Sequence, residues 1–88
     1  MKITSKNIID TSYVKSYTIN AQINTFYYAF EGDNIFAIRG LTSGIVITKP
    51  VDNATDIEYS IDNINRIVTF KNTNDSNIRM IIISGNIL

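Results

Sequence analysis

The chain has 88 residues, with eight basic and eight acidic side chains and therefore no net charge, and it contains neither cysteine nor histidine. Without these two residue types it cannot form disulfide bonds, Cys/His zinc sites, a thiolate nucleophile or a histidine general base. The length suits one domain with a thin core, because the surface scaling rule buries only about 64% of the unfolded surface at this size.

β-branched residues dominate the composition. Ile, Thr and Val make up 31 of the 88 residues, whereas Ala and Leu make up only six. β-branched side chains lose rotamer freedom in a helix and pack well on a pleated sheet. The sequence therefore predicts an all-β protein, a small antiparallel β-sandwich of Ig-like or jelly-roll type with seven or eight short strands. A small barrel is the alternative, because alternation alone does not encode strand order.

The first predicted element is residues 1–12, an N-terminal arm or weak first strand in which isoleucines stand among polar residues. Residues 13–88 are predicted to form the single β domain. Its first strand covers 13–23, where apolar and polar side chains alternate with a period of two. That period is typical of a strand buried on one face.

The next two runs, 26–31 and 35–39, predict a hairpin around a Gly-Asp-Asn turn. Alternation along the first run places its aromatic residues on both faces, with Tyr27 opposite a set formed by Phe26, Tyr28 and Phe30. We interpret the phenylalanine face as the core face, with Tyr27 half-buried and its hydroxyl in water. Tyr27 and Tyr28 are also candidates for a recognition surface, because sugar-binding modules often present tyrosines on a β-sandwich.

Four shorter runs complete the predicted domain, at 45–48, 57–61, 66–71 and 78–84. Lys49-Pro50 is predicted to end the first of these, because proline cannot donate a hydrogen bond to a sheet ladder. The last run is apolar on both faces from Met80 to Ile83. A strand of this kind is covered on both faces.

A chain this short has little material to cover a second face of the last strand, so we predict that this surface meets another chain. Long isoleucine-rich strands with few edge charges and zero net charge favour association. The predicted contact residues are apolar members of the arm and of the last strand: Ile3, Ile8, Ile9, Ile81, Ile83, Ile87 and Leu88. The alternative is a central strand whose second face carries the N-terminal arm.

Carboxylates and amides supply the remaining candidate chemistry. Two acidic pairs, Glu31 with Asp33 and Glu58 with Asp62, are the residue type that a glycosidase uses, but one thin sandwich leaves little room for its cleft. We therefore predict no enzymatic activity and no cofactor. Turns rich in Asn and Asp could ligate calcium, and that alternative stays open. However, the run from residue 62 to 73 lacks the glycine and glutamate of an EF-hand loop.

The pattern of charge and hydropathy argues against nucleic-acid binding, a membrane span and a signal peptide. The basic residues do not cluster, which argues against nucleic-acid binding. The longest apolar run, Met80 to Ile83, is far too short for a membrane span. No apolar stretch of signal-peptide length follows the first residues, which predicts cytoplasmic synthesis and retention, or export within a larger assembly.

These observations predict a structural protein that acts by assembling, through β-sheet contacts in a homo-oligomer or a larger assembly. The narrower hypothesis is a phage virion component, such as a capsid decoration, neck or fibre subunit. It is an analogy of type and size, since small all-β proteins with AT-rich codon usage are common there. The alternative is a small carbohydrate-binding or protein-binding β-sandwich module, so a glycan remains a candidate ligand.

Overall fold

A computed structural model describes residues 7–51 and 56–87 and confirms the all-β sandwich. The described residues form eight strands: β1 Asn7–Asp10, β2 Ser16–Asn20, β3 Thr25–Glu31, β4 Asn34–Leu41, β5 Gly44–Val51, β6 Ile57–Asp62, β7 Ile67–Asn72 and β8 Ile81–Asn86. They lie in two antiparallel sheets, one of five strands in the order β1-β8-β3-β4-β5 and one of three in the order β2-β7-β6. Two separate sheets make a sandwich rather than a closed barrel.

The two sheets are linked by a two-stranded ribbon that passes from one to the other. β1 pairs with β8 in the larger sheet, and β2, which follows β1, pairs with β7 in the smaller sheet. Between these pairs the two chain segments cross side by side, held by reciprocal backbone bonds of 2.8 Å between Val14 and Ile78. A wrapped ribbon of this kind is found in jelly-roll sandwiches. The β3–β4–β5 meander completes the larger sheet.

The core lies between the inner faces of the two sheets. Its centre is a pair of edge-to-face rings, Phe36 of β4 and Phe70 of β7, with centroids 5.0 Å apart. Tyr59 of the edge strand β6 packs against both rings. The buried residues around them are mostly aliphatic: Ile19, Ala21, Ala29, Ile38, Ile45, Ile57, Val68, Ile78, Met80 and Ile82. Burial of each large side chain contributes about 1.5–3 kcal/mol, so this cluster is the main source of stability.

β5 is longer than predicted, because it continues through Pro50 to Val51. The prediction that Lys49-Pro50 ends the strand is wrong. β5 is an edge strand of the larger sheet, where a residue without an N–H is tolerated. A bulge opposite Ile35–Ala37 adjusts the pairing at this point.

The predicted strand at 13–23 is shorter in the structure, where β2 covers only Ser16–Asn20. Residues 13–15 lie in the crossing segment, where pairing is limited to the Val14 bridge, and residues 21–24 form the turn that leads to β3. Tyr13 is consequently 70% exposed, outside the alternating face to which the sequence pattern assigned it. The final strand likewise begins at Ile81 instead of 78, since Ile78 makes only the isolated bridge at the crossing.

Gly40 marks the closest approach of backbone segments in the larger sheet. A Cβ atom at this position would lie 1.9 Å from the carbonyl oxygen of Gln22. The turn that contains Gln22 also donates a bond from the Asn24 N–H to the Gly40 carbonyl, at 2.8 Å. The absence of a side chain at residue 40 therefore allows the β2–β3 turn to lie directly on β4.

Candidate interaction surface

The outer face of the larger sheet is apolar. On β3 it carries Phe26, Tyr28 and Phe30, which register alignment places beside residues of β4 on one side and β8 on the other. We call this surface the outer apolar face. Its described members are Ile8, Asp10, Phe26, Tyr28, Phe30, Ile35, Ala37, Arg39, Leu41, Gly44, Val46, Thr48, Ile81, Ile83 and Gly85.

The interpretation that the phenylalanine face of the hairpin is the core face is wrong. The inner face of β3 carries Ala29 and Tyr27 instead. Ala29 is fully buried and lies directly between Phe36 of β4 and Ile82 of β8 in the register. A small residue here leaves room for the two large neighbours, so the sheet turns its phenylalanine side outward.

An aromatic row runs along β3 in the middle of the outer apolar face. The Phe26 and Tyr28 rings meet edge to face, with centroids 4.5 Å apart, and Tyr28 and Phe30 are 6.3 Å apart. Phe26 is only 4% exposed although it lies outside the core cluster. Beside it Ala37, Arg39, Val46 and Thr48 line a shallow depression of about 220 Å³.

Isoleucines extend the outer apolar face from the aromatic row to the sheet edge. Ile81 and Ile83 of β8 are half-buried, and Ile83 lies directly opposite Ile8 of β1. Ile8 is 71% exposed. Among the described members of this face, Asp10 and Arg39 alone carry charge.

The outer face of the smaller sheet has the opposite character. Its register places hydroxyl, amide and charged side chains together, with one isoleucine: Ser16, Thr18, Asn20, Glu58, Ser60, Asp62, Ile67, Thr69 and Lys71. Lys71 Nζ lies 3.6 Å from Glu58 Oε1 and 3.5 Å from Asp75 Oδ1. This face is typical of a surface in water.

The predicted contact residues are divided between different parts of the molecule. Ile8, Ile81 and Ile83 lie together on the outer apolar face. Ile9 points to the inner side of β1, opposite Ile82, and is 43% exposed. Ile87 follows β8 and is half-buried, and its N–H donates to the Asn24 carbonyl at 2.7 Å. Two further members of the predicted set, Ile3 and Leu88, lie outside the described residues.

Tyr27 and Tyr28 do not share a surface, because adjacent residues of a strand point to opposite faces. The Tyr27 hydroxyl lies at the open side of the sandwich and donates to the Asn20 carbonyl at 3.0 Å, which links the two sheets. Tyr28 lies on the outer apolar face. Sequence reasoning placed Phe26 and Phe30 on the same face as Tyr28 but interpreted that face as core. It did not name Ile35 as a member of this face, because only the register of β3 with β4 assigns it.

An ion pair closes one edge of the outer apolar face. Arg79 donates from Nε to Asp10 Oδ1 at 3.0 Å, and its Nη2 bonds the other carboxylate oxygen. These bonds, with one from the Ser12 N–H, lower the pKa of Asp10 from 3.8 to about 2. About half of each side chain is in water, so the pair positions β1 more than it stabilises the fold.

In the turn at 62–65, side-chain oxygens accept hydrogen bonds from backbone N–H groups. Asp62 Oδ1 accepts from the Ile64 and Asn65 N–H groups, and the Asn65 side chain donates to Asp62 Oδ2 at 2.8 Å. Asn63 Oδ1 accepts from the Ile45 N–H at 3.0 Å and so ties this turn to β5. Within 7–51 and 56–87 no group of three or more His, Cys, Asp or Glu residues is arranged to hold a metal ion.

Comparison of the chain with protein-family models, with curated proteins and with solved structures gives no match. In the described part of the chain there is no helix of the length and hydropathy that a membrane crossing requires.

Proposed function

We propose that this protein is a structural subunit that assembles with further copies of itself through the outer apolar face of the larger sheet. The observation that carries the proposal is the contrast between this face and the polar face on the other side of the sandwich. The largest contiguous apolar patch on a protein surface is often functional, and contiguous patches larger than a few hundred Å² mark interaction sites.

The size of the outer apolar face suits a contact between two copies. Five strands about 4.8 Å apart, each about six residues long at about 3.3 Å per residue, span about 500 Å² in projection. Two copies of that area would bury about 1,000 Å² in total, which is at the small end of specific protein interfaces. In a two-fold contact both subunits would present this same patch to each other.

The chemistry of the face favours a protein partner over a glycan. Its aromatic row lies on β3, the middle strand of the five, and a charged residue occurs near each end of the face, Arg39 and Asp10. Aromatic side chains and arginine are enriched in protein interfaces, where lysine and glutamate are depleted. A sugar needs several convergent polar groups, and the described members of this face offer few.

The narrower role that we propose is that of a phage virion component, such as a decoration, neck or fibre subunit. It is supported by the small size, the all-β fold and the AT-rich codon usage that the composition implies. Electron microscopy of the purified protein tests this role. Rings, tubes or fibres of regular repeat support it, and a uniformly dispersed protein argues against it.

The experiment that tests homomeric assembly is light scattering on a sizing column across a dilution series, for the natural sequence and two variants. We expect a discrete oligomer for the natural sequence and a monomer for Ile8→Asp, because a buried carboxylate without a partner opposes the contact. Ile8 is mostly exposed, so this change leaves the fold of one subunit intact.

Thr69→Asp is the matched control, since it adds the same charge to the outer face of the smaller sheet. It is expected to leave the molar mass unchanged. Ile83→Asp, at the position opposite Ile8, provides a second variant of the same face. A natural protein that is monomeric at every concentration overturns the proposal, as does an oligomer that survives both face variants in folded form.

A further inference from the structure

We propose that β1 is an exchangeable strand: residues 7–10 of one copy pair with β8 of a second copy in place of that copy's own β1. The inference goes beyond the proposed contact between faces. It concerns backbone pairing at the edge of the larger sheet, and the partner is a second copy of this chain.

β1 is attached to the molecule along one side only. It is an edge strand that pairs with β8 and with no other described strand. All four of its residues are exposed, and none belongs to the buried core cluster. Release of β1 therefore exposes little apolar core.

β8, which pairs with β1, and β2, which follows β1 in the chain, both keep their other contacts when β1 is released. β8 also pairs with β3 over six residues, and its Ile82 is buried in the core. β2, which follows β1 in the chain, is held by five pairs with β7 and by the buried Ile19. The smaller sheet and the other four strands of the larger sheet thus stay paired when β1 leaves, and β8 gains an open edge.

The hinge for such a movement lies between β1 and β2. Ser12 has a φ of 57°, in the left-handed region that residues with a side chain seldom occupy. Its N–H donates to Asp10 Oδ1 at 2.9 Å, which holds the bend. Extension of the hinge relieves this backbone conformation and carries β1 away from its own β8.

Every contact that β1 loses is formed again on a second copy. The Asp10–Arg79 pair joins β1 to the segment just before β8. Next to it, the Thr11 N–H donates to the Met80 carbonyl and Thr11 Oγ1 accepts from the Met80 N–H, each at 3.0 Å. These bonds are the same within one chain and between two, so exchange has little effect on their energy.

The experiment uses the absence of cysteine from the natural chain to place one disulfide. Asn7 and Ser84 are register partners across β1 and β8, and antiparallel partners lie within disulfide range, at about 4.5–5.5 Å between Cα atoms. The Asn7→Cys/Ser84→Cys protein is unfolded, refolded at high concentration and oxidised. Its dimeric fraction is then run on a denaturing gel without reductant.

Exchange predicts a covalent dimer for Asn7→Cys/Ser84→Cys. The matched control is Thr18→Cys/Thr69→Cys, a register pair of β2 and β7, which is expected to run as a monomer linked within the chain. Monomers linked within the chain for both proteins, or the lack of any dimeric fraction, overturn the inference. A dimer held only by the outer apolar face gives that same monomer band, so the two contacts are distinguished.

A mixture of the single variants Asn7→Cys and Ser84→Cys excludes chance cross-links. After joint refolding and oxidation, exchange predicts a peptide, identified by mass spectrometry, in which position 7 of one chain is linked to position 84 of the other. If the links join identical positions only, 7 to 7 or 84 to 84, the inference is overturned.

Discussion

The outer faces of the two sheets differ more than any other pair of regions in this molecule. Both sheets place large side chains inward, where Phe36 and Phe70 meet. Outward, the smaller sheet presents hydroxyls and charges, whereas the larger presents an aromatic row flanked by isoleucines. The inner faces account for the fold of one subunit. The difference between the outer faces is not needed for that fold, and it is the observation on which the proposed contact between copies rests.

The largest expected effect comes from breaking the core that both faces share. Phe70→Ala removes the fully buried ring of the smaller sheet and leaves a cavity, with an expected loss of about 3–5 kcal/mol in the free energy of unfolding. Chemical denaturation measures this loss. Phe30→Ala on the outer apolar face is the control and should cost about half as much or less, because this ring is only half-buried. Equal losses would mean that the outer face acts as core.

A second substitution acts on the larger sheet alone. Gly40→Ala brings a Cβ against the Gln22 carbonyl, which is backbone and cannot rotate away, so we expect a loss of about 3 kcal/mol or more. The control is Gly32→Ala in the hairpin turn, where φ is 52° and no atom lies within 4 Å of the added Cβ. Strain alone costs about 1–2 kcal/mol there. Thermal melts that rank the two variants in the reverse order would contradict the close approach.

Tyr27 and Tyr28 lie on opposite faces of β3, so removal of one hydroxyl from each compares the two faces directly. Tyr27→Phe removes the bond to the Asn20 carbonyl and is expected to lower the stability of the subunit by about 1 kcal/mol. Tyr28→Phe, on the other face of the same strand, should leave that stability unchanged. Denaturant midpoints measured at a concentration where the protein is monomeric check the pair. Equal midpoints for the two variants would show that the inward hydroxyl makes no such link.

The smallest expected effect concerns the edge of the outer apolar face, where Arg79 lowers the pKa of Asp10 to about 2. The folded-state value lies below the ordinary 3.8, so the stabilisation is complete above that pH and is lost as the pH falls through 2. Titration of the carboxyl group by NMR should show this low value. In Arg79→Gln the pKa is expected to rise towards 3.8, and an unchanged value would exclude the ion pair as its cause.

Strand content and most strand positions were predictable from the sequence, because β-branched composition and two-residue alternation report directly on a pleated surface. Alternation also grouped Phe26, Tyr28 and Phe30 correctly on one face. It did not indicate which face is buried, because that depends on the neighbours in the sheet. Ala29 lies inside, between Phe36 and Ile82, and its pairing with Ile82 joins residues that are far apart in the sequence.

Local rules also failed where the position of a strand in its sheet decides the outcome. Proline ends a central strand but is tolerated at an edge, and the sequence does not state that β5 is an edge strand. The candidate contact residues were predictable as apolar residues of the last strand and the arm. The division of these residues between two faces was not predictable. Ile8 and Ile9 lie on opposite faces of β1, and only the register with β8 assigns those faces.

The position of β8 in the larger sheet has a consequence for the order of folding. β8 is the last of the described strands along the chain, yet it lies between β1 and β3. During synthesis the β3–β4–β5 meander forms from local contacts. One edge of β3 stays unpaired until residues 81–86 leave the ribosome. Over that interval β3 offers its unpaired backbone and three aromatic rings to any nascent neighbour. Misfolding on the ribosome should therefore begin at β3.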